Sequence, residues 1–126
     1  MIEILKLAII LTIVDFIWLF TISNYFSKMI FKIQGGRKMK FDFVSAFLSY
    51  LVLVLSLYYF IIKEGKSPWD AALLGWSIYA VYETTNKATI KDWKWPMVIL
   101  DTMWGGILFA LTTFLYNFFK KTFPMI

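Results

Sequence analysis

Four long apolar runs separated by three short polar connections set the pattern of this chain. The runs cover 5–26, 41–62, 68–86 and 96–119, each near the roughly 20 mostly apolar residues a helix needs to cross the hydrocarbon core. The pattern predicts an all-α polytopic membrane protein: four transmembrane helices in a compact antiparallel bundle, one membrane domain over 1–126. The first connection, 27–40, is basic and is turned by Gly35-Gly36. The second is the tight Lys63-Glu64-Gly65-Lys66-Ser67 link. The third, 87–95, is mixed in charge and leads into Pro96, a residue suited to a first helical turn.

The first run could pass for a secretory signal. It carries Asp15 in its middle, has Glu3 ahead of Lys6 and lacks a small-residue cleavage site, so it reads as a retained helix. Trp69, Trp93 and Trp95 fall at run ends, as an aromatic belt at the membrane interface requires.

Composition strengthens the membrane reading. Of the 126 residues, 60% are apolar and 21% aromatic, more than so short a soluble chain can bury. Cysteine and histidine are both absent, which excludes disulfides, thiolate or imidazole metal sites and imidazole acid–base catalysis. No cofactor is implied. The net charge of +5 points to anionic lipid headgroups, with the bilayer as partner and no role for nucleic acid.

Lysines and arginines divide unevenly between the two faces. Lys28, Lys32, Arg37, Lys38, Lys40, Lys87, Lys91 and Lys94 share one side; Lys6, Lys63, Lys66, Lys120 and Lys121 share the other. The positive-inside rule then places 27–40 and 87–95 in the cytoplasm and both termini outside. In a bacterium the membrane would be the inner one.

Polar groups inside the runs carry the candidate chemistry. A charge at depth costs about 2.5–3.5 kcal/mol even on the lenient insertion scale, so Asp15, Glu83 and Asp101 should face the bundle interior. At about 1.5 Å per residue, Glu83 lies roughly 6 Å and Asp101 roughly 7.5 Å from the face they share, with Asp15 roughly 16 Å deep. Helical spacing aligns Thr12, Asp15 and Trp18; Asp42, Ser45, Ser49 and Ser56; Tyr79, Tyr82, Glu83 and Asn86; and Asp101, Gly105 and Thr112. Thr102, Gly106 and Ala110 form a small-residue ridge suited to close helix contact. The bland reading stands beside this one: hydroxyls and glycines as packing, tryptophans as fillers whose N–H meets a carboxylate, and the acids as braces.

Other motifs fail. Gly65-Lys66-Ser67 lacks the upstream glycine of a phosphate loop, Phe60 standing in its place, and no Asn-x-Ser/Thr acceptor occurs. The selected residues also carry a family likeness. Asp15-Phe16-Ile17-Trp18-Leu19 fits Asp-x-x-Trp-Leu, and Asp101-Thr102-Met103-Trp104-Gly105 fits Asp-x-x-Trp-Gly. The stretch from Tyr82 to Thr89 fits Tyr-Asp-x-Thr-Asn-x-Ala-Thr, with Glu83 where aspartate is commoner. In this order the chain resembles the uncharacterised DUF2177 family of small four-helix membrane proteins, over nearly its whole length. The resemblance implies that Asp15, Trp18, Tyr82, Glu83, Thr85, Asn86, Asp101, Trp104 and Gly105 form the family's characteristic site; it implies no activity. Asp-x-x-Trp also occurs twice, in two helices of opposite direction, but two matching letters are too few to establish inverted internal symmetry.

Three functions remain in view. The first, which the three acids favour, is a small proton- or cation-coupled transporter or channel component, working as a homodimer because four helices enclose too little alone. The second is a structural or assembly protein braced by its polar cluster. The third is a membrane-embedded enzyme acting on lipid through paired acids.

Overall fold

A computed structural model describes residues 1–124. Four helices account for nearly all of them: α1 Ile2–Ile33, α2 Phe43–Leu57, α3 Pro68–Thr89 and α4 Trp95–Thr122. α2 runs straight into a π-helical turn, Tyr58–Ile62.

Local chemistry explains each boundary. α1 has Glu3 in its first turn and Lys32 in its last, both favourable to the helix dipole. It continues through 27–33, where the sequence suggested loop. There Met29, Ile30 and Ile33 line one face and pack, with Ile22, Tyr25 and Phe26, on Trp93, Met97 and Val98. Burial of that stripe stabilises two further turns, and Gly35 then reverses the chain with φ 64°. At 32 residues α1 is about 48 Å long, well beyond a hydrocarbon core of about 30 Å.

α2 begins at an Asp42 cap. Its carboxylate accepts from the Val44 and Ser45 amides at 3.1 and 3.3 Å and from the Ser45 hydroxyl at 2.8 Å. α3 has Ser67 as its cap, accepting from the Asp70 amide at 3.2 Å, with Pro68 next. Pro96 opens α4 in the same manner, and Lys120 and Lys121 close it.

α1, α2 with its π turn, and α4 are each long and apolar enough to cross a membrane. α3, the least apolar helix, is instead the one most intimately packed. It lies along α4, which also touches α1, and α1 in turn contacts α2. The core is shared by Leu7 and Leu11 of α1, Val54 and Leu57 of α2, Ala71 of α3 and Leu108 and Phe109 of α4. Outward positions are apolar too: Phe20, Phe43 and Val81 are 83%, 79% and 67% exposed. A surface of this kind is solvated by lipid.

The intimacy of α3 and α4 rests on glycine. A methyl group at Gly75 would overlap the Gly105 carbonyl, and one at Gly105 would overlap the Tyr79 ring. The ridge through Gly106 receives Trp76, whose indole N–H donates to the Met103 carbonyl at 3.2 Å. Backbone-to-backbone approach of this sort is how membrane helices gain dispersion energy without a hydrophobic driving force.

Two consequences follow. Gly75→Ala must push the helices apart, and reversible unfolding in mixed micelles should register a loss of about 1–3 kcal/mol; unchanged stability would deny the close contact. Asp42 is the second case. Hydrogen bonds from the Ser45 hydroxyl, the Ser45 amide and the Val44 amide hold its carboxyl below the usual range. A folded value below the unfolded one means that the stabilisation is present at neutral pH and fades as pH falls through the folded value. Amide exchange at Val44 and Ser45 should therefore accelerate in acid relative to the rest of α2, whereas Asp42→Asn should show no such acid-dependent step.

Candidate functional site

The three intramembrane acids meet on the interior of the bundle. Asp15 and Glu83 are 6% and 1% exposed, and Asp101 is partly buried. Each is held by a hydrogen bond from an aromatic side chain. Trp104 Nε1 donates to Asp15 Oδ1 at 2.8 Å, and the Tyr50 hydroxyl donates to Asp15 Oδ2 at 2.5 Å. Trp18 Nε1 donates to Asp101 Oδ1 at 3.2 Å. Trp93 Nε1 donates to Glu83 Oε1 at 2.8 Å.

Two of these bonds are reciprocal. Asp15 and Trp18 lie three residues apart on α1, as do Asp101 and Trp104 on α4. In antiparallel helices a three-residue step of about 4.5 Å puts Asp15 level with Trp104 and Trp18 level with Asp101. Each aspartate takes the other helix's indole N–H. The indoles stack between them, centroids 5.3 Å apart and planes 12° from parallel. The repeated Asp-x-x-Trp thus has a geometric counterpart: a local two-fold clasp.

Glu83 completes the group from α3. Its carboxyl lies within hydrogen-bonding reach of Asp101 while it accepts from Trp93. Asp101 is thus close enough to both Glu83 and Asp15 for the carboxyls to interact. No lysine or arginine pairs with any of the three; among the described residues the one ion pair joins the amino terminus to Glu3 at 3.3 Å. Nor do three carboxylates converge at one point able to hold a metal ion, among the described residues. What neighbouring carboxyls can do is hold one proton between two oxygens, or together meet one positive charge.

The remaining sequence candidates fall into two groups. Trp18 and Trp104 belong to the clasp, and Gly105 supports it from behind by admitting Tyr79. Tyr82 is 52% exposed and interacts with Asn86 while staying within electrostatic reach of Glu83 and Asp101, and Thr85 is also exposed. The Asp42, Ser45, Ser49, Ser56 stripe does not face inward as a unit. Asp42 and Ser45 are spent on the cap, and Ser49 is exposed.

Two contributors were not evident from sequence. Tyr50 sits in an apolar run, where only its depth beside Asp15 marks it. Trp93 looks like a belt residue because it is in a polar connection, yet it is 3% exposed and packs edge-on to Phe26 and Tyr82. Trp69 and Trp95, 62% and 59% exposed, are placed as the belt predicts.

A family model described as a predicted membrane protein, DUF2177, matches residues 1–117. The chain belongs to the DUF2177 family. That match takes in the clasp, the Glu83–Asp101 pair and the glycine interface of this DUF2177 member. No curated protein and no solved structure matches the chain.

The clasp makes a measurable demand. Trp104→Phe preserves a ring for stacking but leaves one Asp15 oxygen without its donor, and should cost roughly 1–2 kcal/mol of stability. A double-mutant cycle pairing it with Asp15→Asn should show coupling, while the same cycle against Asp42→Asn should show none.

Proposed function

We infer that this membrane protein handles protons through the Glu83–Asp101 pair, as a small proton-coupled transporter or channel component. The observation that carries the reading is the absence of a basic partner for any of the three buried acids among the described residues. Carboxylates at membrane depth need a balancing positive charge, and indole and phenol dipoles only soften that need. A proton exchanged with water is the simplest charge that can come and go. The pair is well placed for exchange: Glu83 and Asp101 each lie six residues, about 9 Å, from the α3 and α4 ends that flank 90–94. We place that face in the cytoplasm, and two copies of the chain as the working unit.

A second reading has its own support. The four indole and phenol hydrogen bonds and the stacked Trp18–Trp104 pair tie together all four helices and the 90–94 turn. A bundle with no other purpose than to hold its shape would profit from the same bonds.

Proton flux separates the two. In liposomes loaded with a pH indicator, the native protein should carry protons when a potential or a gradient is applied. Glu83→Gln and Asp101→Asn should each reduce flux at least about tenfold, the usual scale for losing a positioned proton carrier. Asp15→Asn should reduce it less, because Asp15 lies deeper and is held by two donors. No flux from well-folded native protein would leave the bracing role in possession of the site.

A further inference from the structure

α2 and α3 are consecutive, yet they hardly touch; each packs elsewhere, α2 on α1 and α3 on α4. Between them lies a cleft of about 490 Å³, lined by Leu48, Ser49 and Val52 of α2 and Ile78, Tyr79 and Tyr82 of α3. Its volume falls within the roughly 300–1,000 Å³ common for small-molecule sites. It is predominantly apolar and opens sideways, in the zone where the helices meet acyl chains, so an occupant enters from the bilayer.

The inner end of the cleft has a different character. Tyr79 lies within electrostatic reach of Asp15 and Asp101, and Tyr82 within reach of Glu83 and Asp101. Tyr82 also meets the Trp93 ring edge-on, centroids 6.4 Å apart. Aromatic faces in front of carboxylates attract organic cations through the ring quadrupole and the charge behind it. No basic side chain of the described residues pairs with those carboxylates. The cleft therefore offers an apolar channel for a tail and, for a head, tyrosine rings backed by carboxyls that have no basic partner.

We propose that the α2–α3 cleft binds amphiphilic organic cations, single-tailed amines or quaternary ammonium compounds that partition into the membrane. The tail lies along Leu48, Val52 and Ile78, and the cationic head rests against Tyr79 and Tyr82 in front of Asp101. This rests on the proposed function insofar as it names what the acid cluster would meet besides a proton, but the cleft and the tyrosines stand without it.

The test uses the whole chain in nanodiscs of zwitterionic lipid, with dodecyltrimethylammonium as probe and dodecyl maltoside as neutral control. Tryptophan fluorescence should report saturable binding of the cation and at least about tenfold weaker retention of the neutral amphiphile. Ser49→Phe and Val52→Phe fill the cleft from two positions on the α2 rim. Both should abolish saturable binding with helicity unchanged by circular dichroism, and Tyr82→Leu should weaken it about tenfold. Equal retention of the neutral amphiphile would make the cleft a seat for ordinary acyl chains and overturn the cationic assignment. Cation binding that survives both filling substitutions would place it elsewhere and overturn the site. The chain has no cysteine, so Ser49→Cys gives a single thiol; efficient disulfide formation between two copies would show a second chain occupying the cleft and also overturn it. Proton flux, measured without the cation, decides the proton reading separately, so failure of one does not count against the other.

Discussion

Everything in this bundle is arranged around three carboxyl groups that the bilayer will not solvate. Lipid offers a carboxylate no hydrogen bond, and among the described residues the chain offers these acids no ion pair. Aromatic N–H and O–H donors stand in for water. Indole is well suited to this because it brings one strong donor on a large apolar body, so satisfying the acid adds no second polar group to satisfy. The choice also explains why so few residues serve so many ends. Trp18 and Trp104 fill the α1–α4 interface, stack on one another and neutralise two acceptors at once.

Such a cluster works only if its helices come close and stay in register. The glycine contact between α3 and α4 supplies both. With Gly75 against the Gly105 carbonyl, α3 cannot slide or rotate freely along α4, and Tyr79 is seated where a side chain at 105 would otherwise be. Glu83 is about one turn beyond Tyr79 and two beyond Gly75 along α3, so that same register brings its carboxyl to Asp101. Packing and electrostatics are one problem here. Any change that widens the α3–α4 gap also separates the carboxyl pair. α2 has no such lock to α3, which is why the bundle gaps on that side.

Much of this was legible in the sequence because the membrane makes polarity conspicuous. Asp15, Glu83 and Asp101 stand out against apolar surroundings, and matching depth makes Glu83 and Asp101 candidate neighbours. The helices follow from run length. What was not legible had a physical cause in each case. α1 outruns its apolar stretch because Met29, Ile30 and Ile33 find partners distant in sequence. The serine stripe of α2 fails at its start because Asp42 and Ser45 satisfy each other at the cap and then exert no pull toward the interior. Trp93 misleads because position in a polar connection says nothing of whether that connection folds back over the bundle end, which here it does.

The longer side chain at position 83 fits this geometry. Glu83 must satisfy two partners that lie on different elements, Asp101 within α4 and Trp93 in the turn preceding it. Aspartate would hold its carboxyl one methylene nearer the α3 backbone, and one of the two contacts would lengthen. The clasp aspartates face no such demand. Asp15 and Asp101 are matched in height to their tryptophans by helix geometry alone, so short side chains suffice. The same contrast separates a symmetric, self-locking part of the site from an adjustable part. The α1–α4 clasp holds its aspartates through two equivalent bonds and a stack, each supporting the other. Glu83 hangs on one indole from a non-helical turn, on a longer and more flexible side chain. If any carboxyl in the cluster is to swing between a buried partner and the aqueous face, helix register gives Glu83 and Asp101 equally short routes, and Glu83 has the longer, more flexible side chain.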